Sequence, residues 1–126
     1  MGVMGDWRGM SDEDLKVSVA AKMLEKLKKG LGDNAPTRVE VASNGGEGFG
    51  SGDYVLFNFH YDNDKAQDGH NAMNHDWALA AIECGGHGSS CIPHGDNLVQ
   101  ASMQGVSLQR LNYDLDKRQQ LGSLAR

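Results

Sequence analysis

Two cysteines and two histidines stand close together in the 126-residue chain, in the order Cys84-Gly-Gly-His87-Gly-Ser-Ser-Cys91-Ile-Pro-His94. Thiolates and imidazoles are the ligands of tetrahedral zinc, and glycines would let a short segment wrap the ion. Cys84, His87, Cys91 and His94 are therefore the candidate metal ligands, with zinc as the candidate cofactor. The spacing Cys-x2-His-x3-Cys-x2-His matches no standard zinc finger. Two other readings stand beside it: a Cys84–Cys91 disulfide formed in an oxidising space, and two unlinked thiols with two solvent-facing histidines. A thiol hydrolase is a separate idea. Cys84 or Cys91 would be the nucleophile, His60, His75, His87 or His94 the base, and Asp76 or Asp96 the group that orients the imidazole. No spacing singles out a triad, so no residue is assigned a catalytic role.

Other motifs carry less. Gly46-Glu47-Gly48-Phe49-Gly50 has the look of a kinase glycine loop, but lacks the Gly-Lys-Ser/Thr ending of a phosphate loop and every other kinase signature. It reads as a turn. Asp62-Asn-Asp64-Lys-Ala-Gln-Asp68-Gly69 places its acids and glycine at the wrong steps for a calcium loop and reads as a solvated acidic loop. His70 and His75 are five apart, not the four of a zinc-protease helix, and no Glu lies between them.

The chain weighs 13.6 kDa, enough for a single domain that buries roughly two-thirds of its unfolded surface. Its formal charge is −5, which argues against nucleic acid, whose binding comes largely from neutralising phosphates. No apolar run has the length of a membrane span, and Met1–Met10 hold no signal-peptide core. Synthesis in the cytoplasm is expected, with export, where it occurs, by a route needing no N-terminal signal. The charge is unevenly spread. Residues 40–109 carry one basic and nine acidic side chains, together with all five histidines and both cysteines, between two mildly basic ends.

Patterning predicts the elements. Ser11, followed by Asp12, Glu13 and Asp14, starts a helix over 11–31. Leu15, Val19, Met23, Leu27 and Leu31 form its apolar stripe, with Ala20 and Leu24 beside them. Gly30 or Gly32 ends it. Residues 37–43 and 53–61 alternate as strands: Val39 and Val41 on one face of the first, Val55, Phe57, Phe59 and Tyr61 on one face of the second. Residues 44–52 read as a long hairpin loop. Residues 62–96 read as a loop, a short helix from Asn74 or Asp76 through Glu83, and a second loop. Residues 97–120 read as a helical stretch that Gly105 kinks or splits. The expected fold is α+β: a small antiparallel sheet packed against an N-terminal and a C-terminal helix, in one domain over 1–126.

Taken in order, Ser11–Leu31, Arg38-Val39-Glu40-Val41-Ala42-Ser43, Gly52-Asp53-Tyr54-Val55-Leu56-Phe57 and the Gln-rich end (Leu108-Gln109-Arg110-Leu111, Gln119-Gln120) form a pattern. It resembles the C-terminal domain of bacterial type IV secretion effectors that kill rival bacteria. Residues 62–96 have no counterpart in that family. The resemblance implies a protein-interaction module whose partner is the coupling ATPase of the secretion machine. It implies contacts through Arg38, Glu40, Leu108, Arg110 and Leu111. An immunity or inhibitor protein is a further expectation, since an acidic surface suits a basic toxin.

Overall fold

Ser11 opens the first helix as its spacing predicts: its Oγ accepts the Asp14 N–H at 3.1 Å, and α1 runs Asp12–Leu31. Acids fill the first turn, and Lys28 and Lys29 the last. Gly32, at φ 57°, closes the helix, and its N–H reaches the Lys28 carbonyl. The structure is a computed structural model describing residues 9–44, 54–88 and 91–117. The expected loop over 44–52 falls beyond Asn44 outside the described residues, as does the end of the chain after Lys117.

The strands β1 (Arg38–Asn44) and β2 (Tyr54–His60) pair antiparallel, with Val39 opposite Phe59 and Val41 opposite Phe57. The register shifts between Val41 and Ser43, a β-bulge at Ala42. A helix α2 (Ala66–Glu83) follows, then two short strands β3 (His87–Gly88) and β4 (Ile92–Pro93). A strand β5 (Leu98–Gln104) and a helix α3 (Leu108–Lys117) complete the described chain. The sheet order is β1-β2-β5-β3, with β4 also on the outer side of β5, and every pair is antiparallel. The α+β class, with N- and C-terminal helices packed against an antiparallel sheet, is as expected.

Three stretches differ from the pattern. The expected second loop, after Glu83, contains β3 and β4, which are short and are strands only by pairing with β5. The other two are longer. The helix α2 begins at Ala66, inside what reads as a polar loop. Its buried residues are Ala66, Met73, Trp77, Ala80 and Ala81. That stripe has helical spacing, but most of its members are small and Gly69 interrupts it, so periodicity alone is faint. The helix also has no side-chain cap; the Ala66 N–H instead donates to the Asp96 carbonyl, 3.0 Å away and remote in sequence. The third difference is β5, which lies within the stretch read as helix. Val99 and Met103 are four apart, a spacing that both periods allow. Ala101 between them decides it, since Val99, Ala101 and Met103 lie opposite Phe59, Phe57 and Val55 on one face of the sheet. Gly105, at φ 81°, separates this strand from α3.

One face of the sheet carries the core. Trp77 reaches from α2 to set its indole edge-on against Phe57 and Phe59, with centroids 5.4 and 5.5 Å away and planes at 82° and 79°. Its Nε1–H donates to the Ser102 carbonyl at 2.9 Å. From α1, Leu15, Val19, Met23 and Leu27 join the same cluster, as do Leu108, Leu111 and Leu115 of α3. A polar seam ties α1 to α3: Ser18 Oγ and Lys22 Nζ both donate to Asn112 Oδ1, at 2.8 and 3.0 Å, and Lys22 also meets Asp116. The opposite face carries no described helix.

Two substitutions test this packing by urea unfolding. Trp77→Ala is expected to cost about 3–5 kcal/mol of stability. Gly→Ala inside a helix ordinarily gains about 1 kcal/mol. Gly69→Ala is expected to reverse that sign, because its Cβ would overlap the ring of Tyr61, itself 3% exposed and unable to retreat.

Candidate functional site

The helix-free face is laid out in rows by the strand register. Arg38, His60 and Leu98 form one row, and Glu40, Asn58, Gln100 and Ile92 the next. Period-two alternation puts these residues opposite the Val39–Phe59–Val99 side that the helices cover. The second row is joined by hydrogen bonds across three strands. Gln100 Nε2 donates to Asn58 Oδ1 at 2.7 Å, and Asn58 Nδ2 donates to Glu40 Oε1 at 3.4 Å. His60 Nε2 lies 3.2 Å from the same Glu40 oxygen. An ionised carboxylate only accepts, so this contact needs a proton on Nε2. These bonds, that from His60 foremost, hold the Glu40 carboxyl below its ordinary value. The result is a polar, pre-oriented strip, with Ile92 exposed at one end and Arg38 at the other.

Beside it, the outer edge of β1 and the flank of α1 border a groove of about 440 Å³, lined on the helix side by Val17, Ala20, Ala21 and Leu24.

The candidate metal ligands are placed separately. Cys84 caps the C-terminal end of α2 and is buried; Cys91 is buried too, and its N–H donates to Asn74 Oδ1 at 3.0 Å. His87 lies exposed on β3, and His94 lies exposed in the turn before β5. Among the described residues no three His, Cys, Asp or Glu side chains gather closely enough to hold a metal ion. No disulfide joins Cys84 and Cys91. Burial pushes the Cys91 thiol up to about 12, so at neutral pH it is protonated and a poor nucleophile. His75 falls within α2.

The expected contact residues divide. Arg38 and Glu40 are exposed on β1. Leu108 and Leu111 are corrected: they are 4% and 0% exposed, so they belong to the core and present nothing to a partner. Arg110 is exposed, with its Nε 3.0 Å from the buried Asp114 carboxylate one turn away. The residues that sequence reasoning missed are Asn58 and Gln100. Alternation in β2 already placed Asn58 on the face, whereas reading β5 as helix hid Gln100.

Two measurements probe this chemistry. A carboxyl whose pKa is depressed by folding stabilises the fold above its unfolded value, and that contribution disappears as pH falls through the folded value. Native Glu40→Gln is therefore expected to melt below the parent at neutral pH. The gap should close as pH falls below the ordinary glutamate value of 4.5. Thiol titration is the second. Native protein is expected to react slowly with a thiol reagent at neutral pH, and denatured protein to yield both thiols at once; rapid native labelling of Cys91 would contradict its burial.

Comparison with known proteins returned no family model, no curated protein and no solved structure that matches the chain.

Proposed function

We propose that this chain is a protein-interaction module that presents the helix-free face of its sheet to a protein partner. The observation that carries this reading is the row Glu40–Asn58–Gln100, with His60 on the same carboxylate. Its polar groups are oriented before a partner arrives, which lowers the ordering cost of association. Regular strands position it, and such elements hold side chains more exactly than loops do. Leu56, Leu98 and Ile92 on the same face supply apolar contact between the polar groups. The buried, protonated Cys91 and the dispersed His and Cys side chains give a thiol hydrolase or a zinc enzyme no comparable support.

The partner follows from the resemblance noted above. Arg38-Val39-Glu40-Val41-Ala42-Ser43 is one of its best-matched segments, and it forms β1, at the border of this face. On that ground we propose the coupling ATPase of a type IV secretion machine as the partner.

Photo-crosslinking in the source cell tests both levels. A crosslinker replacing Ile92, which is 54% exposed at the end of the row, is expected to trap one protein species. A crosslinker replacing Leu79, 44% exposed on α2, is expected to trap none of it. Asn58→Ala, which cuts the row at its middle, is expected to weaken capture roughly tenfold in a folded protein. Equal trapping from both positions would remove the face as the site. A trapped protein other than the coupling ATPase would keep the module and overturn the type IV assignment.

A further inference from the structure

The apolar surface of α1 is wider than its own sheet covers. Leu15, Val19, Met23 and Leu27 face the core. Ala20 and Leu24 are half-buried on the flank of that stripe, and beside them Val17, 69% exposed, and the exposed Ala21 continue it into the groove beside β1. The groove runs along the outer edge of β1, which among the described residues has a strand partner, β2, on one side only, so its other backbone groups face outward. An apolar helix flank and an unpaired strand edge, side by side, suit a partner that supplies the same two features.

We infer that this partner is a second copy of the chain, joined about a two-fold axis that pairs β1 with β1 and α1 with α1. The inference does not rest on the partner reading above. Its support is that the surface is complementary to itself. In an antiparallel α1 pair centred between Ala20 and Ala21, Val17 of one copy meets Leu24 of the other. The two alanines lie opposite each other and let the backbones approach. Glu13 then lies opposite Lys28, and Lys28 opposite Glu13.

The strand chooses its register by the same logic. Centred on Val39, an antiparallel β1 pair sets Arg38 of each copy opposite Glu40 of the other, on the helix-free face. Shifting the pair to put Val39 opposite Val41 would set Glu40 against Glu40, which like charges disfavour. Shifting it further, to Val41 against Val41, would run into the bulge at Ala42. The favoured register uses residues 37–41 and stops before the bulge. Its axis is perpendicular to the sheet. The two sheets become one, and both helix-free faces lie on the same side.

Light scattering with size-exclusion chromatography on the full chain tests this. The expected mass is twice 13.6 kDa, falling toward that of one chain on dilution. Val17→Asp alters an exposed side chain and is expected to give single chains with unchanged far-UV circular dichroism. The decisive test is a charge exchange. Glu13→Lys is expected to weaken the dimer about tenfold, and adding Lys28→Glu to restore it. The two positions are about 22 Å apart along one helix, too far for rescue within a chain, so restoration reports contact between copies. A single-chain mass at every concentration would overturn the inference. So would a dimer indifferent to Val17→Asp, or one weakened by Glu13→Lys and not rescued.

Discussion

The indole of Trp77 holds the architecture together. It is the largest fully buried side chain among the described residues, and it meets two aromatic rings of the central strand while hydrogen-bonding the backbone of the next. Edge-to-face pairs of this kind add about 0.5–1.5 kcal/mol each beyond the area they bury. The geometry matters as much as the energy. A ring so placed fixes the height and rotation of α2 over the sheet, and the rings of Phe57, Phe59 and Trp77 are thereby committed to one side. The other side carries Glu40, Asn58, His60 and Gln100, with Tyr54, Leu56, Leu98 and Ile92 among them. The polar character of that face follows from the helices having taken the apolar one.

Close approach completes the same constraint. Tyr61, just past β2, lays its ring on Gly69 in the first turns of α2, where any Cβ would overlap it. Its hydroxyl, buried, has no hydrogen-bond partner in the structure, a cost that the ring's packing must offset. Next to it, Asn63 and Asp64 turn the chain through left-handed backbone, at φ 59° and 60°, a conformation these residue types tolerate. Asn97 then binds the turn from across the molecule: its carbonyl accepts the Tyr61 N–H and its Oδ1 the Asp64 N–H. The start of α2 is thus set by partners thirty or so residues away, and not by its own first turn.

That explains what could be read in advance. The first helix was legible down to Ser11 and Gly32, because its cap, dipole charges and apolar stripe are all local. So were β1 and β2, where strict alternation admits only one period. The start of α2 was not, because Asp96 and Asn97 supply what a capping side chain would. For β5, Val99 and Met103 fit both periods, and only pairing with Phe59 and Val55 separates them. The candidate site divides along the same line. Glu40, Asn58 and His60 follow from alternation, but Gln100 needs the β2–β5 register. Leu108 and Leu111 could not be told from surface anchors, since an amphipathic stripe does not say whether its own core or a partner covers it.

The same ambiguity bears on charge. Nine acids between residues 40 and 109 suggest an acidic docking surface when counted along the chain. In the fold the seven that are described disperse. Asp68 lies in the first turn of α2, where the positive end of the helix dipole favours it, and Asp96 meets the start of that helix through its backbone carbonyl. Asp76 and Glu83 lie farther along the same helix. Among the described acids only Glu40 stands in the rows of the helix-free face, and there it is tied to His60 and Asn58. A count of acids along the chain therefore does not describe one surface. If the helix-free face is the docking surface, as proposed, its described acidic group is a single oriented carboxylate among amides, with Arg38 as the cation beside it.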